Sequence, residues 1–532
     1  MTTQRTRGPL SDVVARLCAD LRGRVGADTA NGLHEVVLRL GEPLQLAVVG
    51  RIKSGKSTLV NALIGRNVAP TDVGECTRVV TRFRYGTVDR VEVVLRDGGK
   101  RSLPFTSDGA IPADLGVERE RVSHLEAYLT NEALRDLTVI DTPGLGSTDD
   151  SSVARTEAVL GREAVPGESG AAETGAAGTE AAEPEERAEA LDPVSRSAVA
   201  GAEAVLYVVT QSVRADDRRA LSSFGAATGN RPAGPANALA VLNKADTVEP
   251  ESVRESDGSV WHAASLLAGR QARQLGPRVT DVLPVVGLLA ETAETGVFTA
   301  SDAEALHRLA GLDETTRETL LISADLFTGW ECDVPTGTRT RLLELLDLYG
   351  IRCALEAIAA DPDITAGELR RVLHESSGLS EVSRRLNAVF RARADGIKAA
   401  AGLASMTAVA QRSRDPAERG RIQDGIEALL ARPDAHQLRL LEVLTLVSSG
   451  EVTLPNDLLD EVLRLGASNN PSERLGMLGG APERLLEYAM ERANWWRSFA
   501  SLGATPAQSR VAHVVHRAYF LLWQQLRSGT RG

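Results

Sequence analysis

This 532-residue chain lacks the cysteine spacing of a covalent or metal framework. Its four cysteines, Cys18, Cys76, Cys332 and Cys353, stand without C-x-x-C spacing, which excludes a zinc ribbon and a disulfide scaffold and fits a reducing cytosol. Basic charge is in deficit: 72 Asp and Glu outweigh 60 Lys and Arg, a formal net charge of −12. That is the wrong sign for a protein whose main business is nucleic acid, so no nucleic-acid partner is expected. There is no charged-then-apolar leader pattern, and no apolar run reaches the about 18 residues that a membrane span needs. Any membrane contact is therefore expected to be peripheral. The length exceeds what one core can organise, and about 150 residues per domain suggests two to four units.

What is present centres on Gly50-Arg51-Ile52-Lys53-Ser54-Gly55-Lys56-Ser57, which fits G-x-x-x-x-G-K-[ST]. The glycines let backbone N–H groups turn toward phosphate, Lys56 reaches the β- and γ-phosphates, and the Ser57 hydroxyl ligates Mg²⁺. An apolar run from Leu44 to Val49 precedes the loop and a helical pattern (Leu59, Val60, Ala62, Leu63, Ile64) follows it. That context predicts strand, loop and helix, with the helix N-terminus under the phosphates. The expected cradle comprises Gly50, Lys53, Ser54, Gly55, Lys56, Ser57 and Thr58.

Two amphipathic helices are predicted between Ser11 and about Leu40, from Val13, Val14, Leu17, Leu21 and Val25, then Leu33, Val36, Val37 and Leu40. Beyond the phosphate loop, the turn-rich segment Val68 to Thr77 leads into β-patterned runs at Val79 to Tyr85, Arg90 to Leu95 and Arg101 to Phe105; Asp97-Gly98-Gly99 signals a hairpin. A threonine in such a segment can sense the γ-phosphate and Mg²⁺: Thr77 is the first candidate, Thr71 the second. The apolar strand Leu137 to Ile140 then ends in Asp141-Thr142-Pro143-Gly144. Asp141 can hold the metal through water while the Gly144 N–H meets the γ-phosphate. Leu145 follows where glutamine-dependent GTPases place the residue that orients water, so that device is missing.

Residues 163–192 collapse to Ala, Gly, Glu, Thr and Pro, with nine acidic residues against one basic, and predict a disordered acidic insertion, either a spacer or a partner-binding tail. The strands Ala204 to Val209 and Ala238 to Leu242 follow, the second running into Asn243-Lys244-Ala245-Asp246. Asp246 can accept from guanine N1–H and its exocyclic amine, whereas adenine presents an acceptor at N1 that would be left unpaired. Asn243 would fix the loop and the base edge, and the Lys244 stem would cover the ring. A further strand at Val282 to Gly287 should reach the base near Val286. Together these predict GTP and Mg²⁺ as ligands. From about Asp302 onward the apolar spacing is helical. The last helices hold Tyr488, Trp495, Trp496, Phe499, Tyr519, Phe520 and Trp523, spaced for core packing, with membrane anchoring as the alternative.

These motifs resemble the bacterial dynamin-like GTPases, specifically the actinobacterial isoniazid-inducible (Ini) type. The residues that carry the resemblance are Gly50 to Leu59 with Asn61-Ala62-Leu63, Ala69-Pro70-Thr71 with Gly74-Glu75-Cys76-Thr77, Asp141 to Gly144, and Asn243 to Asp246. The resemblance implies an α/β P-loop GTPase domain, a mostly parallel sheet flanked by helices, joined to a long α-helical neck and trunk. Boundaries are expected at 1–42 for N-terminal neck helices, 43–300 for the GTPase domain and 301–532 for neck and trunk. The neck would combine the N-terminal helices with segments after the head and from the C-terminus. A membrane tip is expected between Val447 and Pro482, where Gly, Pro and Asn interrupt the pattern of Leu458, Leu459, Val462, Leu463, Leu475, Met477 and Leu478, or in the uncharged run Ala399 to Gln411, with a simple loop between trunk helices as the alternative. The chain departs from dynamins at the third and fourth loop positions, Ile52 for glutamine and Lys53 for serine. By analogy with the arginine of atlastins and guanylate-binding proteins, Lys53 either supplies a cation in cis at the β/γ bridge or is a solvated lysine. Lys56, Thr77 and Lys53 are thus the expected catalytic groups, and Ser57, Thr77 and Asp141 the metal side.

The function implied is GTP hydrolysis coupled to self-association, or to hetero-oligomers with a paralogue, and to peripheral membrane remodelling or tethering at the cytoplasmic face of the cell membrane. The alternatives are a regulatory GTP switch with a protein partner, or a GTP-binding scaffold that scarcely hydrolyses.

Overall fold

The computed structural model describes residues 8–70, 79–143, 202–214, 217–218, 221, 237–391, 393–432, 435–448, 452–467 and 470–529. Two amphipathic helices lead, α1 (Pro9–Arg22) and α2 (Ala27–Leu40), followed by β1 (Leu44–Gly50) and α3 (Lys56–Ile64). Then come β2 (Thr81–Tyr85), β3 (Arg90–Leu95), β4 (Lys100–Leu103), β5 (Val122–Leu129), β6 (Leu137–Asp141), β7 (Ala204–Val209), β8 (Ala238–Asn243), α4 (Val260–Leu275) and β9 (Val282–Val285). All nine strands join one sheet in the order β4-β3-β5-β2-β6-β1-β7-β8-β9. Its inner part, β6-β1-β7-β8-β9, is parallel throughout. This is why those strands read as unbroken apolar runs: both faces are covered, so no polar side is needed. The expected hairpin is the antiparallel β3–β4 pair, turned by Gly98 at φ 86.

Helices follow without interruption by strand: α5 (Gly287–Glu294), α6 (Ala300–Ala310), α7 (Glu314–Leu320), α8 (Ala324–Gly329), α9 (Thr336–Ala360), α10 (Ala366–Ser376) and α11 (Leu379–Leu386), then a π-helical turn (Asn387–Arg391). Local signals set several of their starts, as in the reciprocal capping boxes Thr299/Asp302 of α6 and Thr365/Glu368 of α10. These helices cover the sheet. One hydrophobic cluster joins Ala47, Val205 and Leu242 to Leu306, Phe327, Leu346, Ile351 and Leu373. A second, on the opposite face, joins Leu46, Val139 and Val241 to Leu379, Val382, Leu386 and Phe390. The core around the sheet therefore does not stop at residue 300 but runs to about 390 in sequence, because an amphipathic period shows that a stripe is buried, not which core it faces.

The remaining helices are α12 (Ala394–Arg412), α13 (Pro416–Leu430), α14 (His436–Ser448), α15 (Asn456–Ala467), α16 (Pro471–Leu475), α17 (Pro482–Leu502) and α18 (Pro506–Gly529). They make two clusters. The first packs Val14, Cys18, Leu33, Val36 and Leu40 of the N-terminal helices against Ala399, Leu403, Met406, Ile422 and Leu438. Its apolar members end at Leu438 among the described residues, and the C-terminal helix α18 meets it through polar contacts, the Val514 carbonyl with His436 at 3.0 Å and Arg517 donating to the Ala431 carbonyl at 3.4 Å. The second gathers α14 to α18 around Val462, Leu465, Ala489, Trp496, Val515 and Tyr519.

Two expected membrane contacts are core instead. Leu475 is 1 % exposed and Met406 is fully buried; of the other apolar residues expected at the first tip, Leu458 and Val462 are buried, while Leu463 and Leu478 are exposed, at 38 % and 79 %. No helix among the described residues is long and apolar enough to cross a membrane.

Candidate functional site

The C-terminal ends of β1, β7 and β8, parallel and adjacent, open on a crevice of about 610 Å³, the place where ligands enter open α/β sheets. Arg51 to Ser54 of the loop between β1 and α3 form one wall. Gly50 cannot be replaced without conflict, since a Cβ there would lie 2.5 Å from the Val208 carbonyl oxygen. Gly55 has φ 85, a left-handed conformation, and its Cβ would fall 2.2 Å from Asn243 Nδ2. Both the backbone conformation and the space thus demand glycine.

Asn243 holds the site together. Its Nδ2 donates to the Ser54 carbonyl at 2.8 Å, and its Oδ1 accepts from Lys244 N and Gly287 N, each at 2.9 Å. The phosphate loop, the base-side turn and the first residue of α5 meet on one buried amide. On the metal side, β1–β6 pairing sets Val48 opposite Asp141, and the Ser57 hydroxyl donates to Asp141 Oδ2 at 2.8 Å. Burial pushes the Asp141 carboxyl up, opposed by the nearby Lys56 charge and the Ser57 bond. Its other oxygen, Oδ1, is buried without a hydrogen-bond partner. A hydroxyl and a half-satisfied carboxylate are hard oxygen donors, and they fit Mg²⁺ bound largely through water and phosphate.

Lys56 is itself buried, which pushes its ammonium pKa down, with Asp141 as the opposing charge; its Nζ donates to the Arg51 carbonyl at 2.8 Å. Lys53 is exposed, lies at φ 61 and lines the crevice beside Ser54 and Lys244. Thr58 follows Ser57 on α3. Asp246 sits in the one-turn 3₁₀ segment Ala245–Thr247, and burial holds its carboxyl above the usual range, with the Asp347 carboxylate adding to the effect and Lys244 opposing it. Val286 is buried and its N–H is spent on the Ser377 carbonyl at 2.8 Å, so that donor is not free for a base. Thr77, Thr71 and Gly144, together with the 163–192 segment, lie outside the described residues.

Sequence reading missed the loop after β7. Thr210, Gln211, Ser212 and Arg214 line the crevice. Gln211 donates to both the Thr247 carbonyl and its hydroxyl, and Gln271 Nε2 fixes the Thr210 carbonyl at 2.8 Å. The signal was positional: these residues leave the C-terminal end of a buried parallel strand. Arg51, Lys53, Arg214 and Lys244 give the crevice a cationic lining suited to a polyphosphate.

With that geometry in place, the comparisons decide the family. A model described as the dynamin family matches residues 46–234. The isoniazid-induced protein IniC of Mycobacterium tuberculosis is 30 % identical over 507 residues, spanning 94 % of each chain. The chain belongs to the dynamin family. It is a bacterial dynamin-like GTPase of the isoniazid-induced type, and its domain is that of GTP hydrolases. A bacterial dynamin-like protein of Nostoc punctiforme is similar over a shorter stretch, 35 % identical over 130 residues, which is 22 % of this chain and 18 % of that one. A solved bacterial dynamin pair, described as sensing and tethering membranes over long range, covers 97 % of this chain and 91 % of its own at 13 % identity, with a TM-score of 0.31, too low to relate the two arrangements.

Proposed function

We propose that this dynamin-family GTPase hydrolyses GTP with Mg²⁺, associates with itself or a paralogue through its head, and tethers or remodels membrane peripherally from the cytoplasmic side. The observation that supports the chemistry best is that Ser57 bonds Asp141 beside Lys56, while Asn243 ties the Lys244 turn to the Ser54 carbonyl of the phosphate loop. In this reading Lys56 neutralises the β- and γ-phosphates, Ser57 and Asp141 hold the metal, and Asp246 reads guanine. Lys53, exposed at the crevice margin, supplies a cation in cis toward the β/γ bridge. The metal supplies charge neutralisation of the phosphates when bound.

The membrane face in this reading is α17. Trp495 and Leu502 are exposed, 39 % and 91 %, and Trp495 stacks on Phe499 with ring centroids 5.4 Å apart. From Arg492 onward the sequence carries no Asp or Glu while Arg497, Arg510, Arg517 and Arg527 remain, so an acidic protein presents a basic, aromatic end suited to anionic lipid. Vesicle sedimentation with and without GTP, beside turnover measured across protein concentration, tests the whole. Turnover that rises with concentration and GTP-dependent sedimentation are expected; flat turnover without sedimentation would favour the regulatory switch.

A further inference from the structure

The segment that follows β7 is fixed at several points. The Thr210 carbonyl accepts from Nε2 of Gln271 on α4 at 2.8 Å. Gln211 donates to the carbonyl and the hydroxyl of Thr247, whose hydroxyl in turn donates to the Lys244 carbonyl at 2.7 Å. Further along, Asp217 is 2 % exposed and its carboxylate collects three partners. Oδ1 accepts from the Tyr207 hydroxyl at 2.8 Å, Oδ2 accepts from Arg214 N at 2.7 Å, and Arg51 Nε lies 3.9 Å from Oδ1. A carboxylate is buried only where such partners offset its lost hydration.

These contacts orient the segment. Arg51 belongs to the phosphate loop and its carbonyl accepts from Lys56 Nζ at 2.8 Å, so Asp217 joins Arg214 to the part of the loop that holds Lys56. Gln211 joins the same segment to the base-side turn. Arg214 lines the crevice with Arg51, Lys53 and Lys244, and no carboxylate is among the described residues that line it. The charge of Arg51 is offset by Asp217, which takes only the backbone N–H of Arg214. The Arg214 side chain is exposed, and its guanidinium has no partner among the described residues. A guanidinium on a cationic crevice fits phosphate, whose oxygens it can bind through two N–H groups at once.

We propose that Arg214 is a substrate-contacting residue that meets the β- and γ-phosphates of GTP, and that Asp217 is the residue that positions it. Lys56 reaches those phosphates from the loop between β1 and α3, and Arg214 reaches them from the segment after β7. Asp217 holds Arg214 by its backbone, which leaves the guanidinium for the ligand. Arg51, drawn to the same carboxylate, ties the two walls together.

The inference rests on the crevice taking GTP with its phosphates at Lys56, and the test keeps the two apart. Affinities of the full-length protein for GDP and for the non-hydrolysable β,γ-imido analogue of GTP, each with Mg²⁺, are measured by competition against a fluorescent guanine nucleotide at two protein concentrations. Arg214→Ala should bind the analogue about tenfold more weakly, the worth of one hydrogen bond to a charged group, and GDP by a smaller factor, at both concentrations. Arg214→Lys, which keeps the charge but not the fork, should fall between. Asp217→Asn, left with one acceptor oxygen for two donors, should lower the analogue-to-GDP ratio as well; an unchanged ratio there removes Asp217 from the role. A ratio identical in wild type and Arg214→Ala overturns the proposal, including the case in which both ligands weaken equally, as a merely structural residue would give. An effect confined to the higher concentration overturns it too, because Arg214 would then serve the nucleotide of a second copy. A Lys56→Ala variant that kept wild-type affinity for the analogue would instead overturn the reading of the crevice.

Discussion

Asn243 and Ser54 are 189 positions apart in sequence yet share a buried 2.8 Å hydrogen bond from side-chain amide to backbone carbonyl. Because the same amide also holds Lys244 and Gly287, the Gly50–Ser57 loop and the Asn243–Asp246 turn are mechanically one unit.

Replacing Asn243 with alanine should therefore damage both. The Ser54 carbonyl and the Gly287 N–H would lose their partner in a buried place, at about 1–3 kcal/mol each. A fall in stability of roughly 3 kcal/mol by urea denaturation is expected, with GTP affinity down by about tenfold or more. Asn243→Asp tests the direction of the bond: a carboxylate can still accept from Gly287 but cannot donate to Ser54, so it should bind GTP no better than the alanine variant.

Gly55→Ala isolates the steric side of the same contact. The new methyl would sit 2.2 Å from Asn243 Nδ2 at a φ of 85, so either the loop or the amide must move. GTP binding by titration calorimetry should be lost while circular dichroism of the helices changes little, since the conflict is confined to the loop.

Glu291 of α5 carries a pH prediction. It accepts from Asn61 Nδ2 at 2.6 Å, and the same asparagine accepts from Val68 N and Ala69 N, fixing the chain where it leaves α3 for the 71–78 stretch. Burial pushes the Glu291 carboxyl up to about 7. A carboxyl with a raised folded pKa binds its proton more tightly when folded, so stability is full below the ordinary glutamate range and is lost as pH rises toward about 7. Glu291→Gln removes the charge and keeps an acceptor. Melting temperatures should be nearly unchanged at pH 4 and raised at pH 8, by an increment corresponding to at most about 3 kcal/mol.

How much of this was legible beforehand varies by element. The parallel strands and the phosphate loop were readable because burial on both faces forces unbroken apolar runs, and because glycine at 50 and 55 leaves a mark no other residue mimics. The partners of the helices after Ala300 were not, since Leu306, Leu346 and Leu373 show the same period whether they cover a sheet or form a separate bundle. Leu475 misled for a related reason: apolar residues among glycines read as an exposed tip, but the Gly476 cap at φ 70 turns the chain so that Leu475 enters the core. The positive φ of 52 at Asp347, inside α9, left no mark in the sequence, since no glycine stands there.

The bundle of α14 to α18 is pinned by one buried carboxylate. Glu461 of α15 accepts from Arg492 of α17, from Trp496 Nε1 at 3.0 Å and from the Tyr519 hydroxyl of α18, and these bonds hold its carboxyl below the usual range against the burial that would raise it. Glu461→Ala would strand Arg492 and two donors, so a loss of about 3–5 kcal/mol is expected. Glu461→Leu restores packing volume but not the partners and should recover only part of it, as read by denaturant midpoints.

The same bundle presents Leu502 at the turn between α17 and α18, 91 % exposed and so removable without disturbing the core. Leu502→Asp puts a negative charge beside the exposed Trp495 and half-buried Phe499 at the basic end of the protein. If this face meets anionic lipid, flotation with vesicles containing phosphatidylglycerol should fall several-fold in the variant, while GTP turnover without vesicles stays at the wild-type level. Leu478→Asp, equally safe for the fold at 79 % exposure, serves as the comparison, because Leu478 belongs to the tip expected from sequence. Loss of flotation in Leu478→Asp but not in Leu502→Asp would return the membrane contact to the 476–480 turn and remove α17 from it.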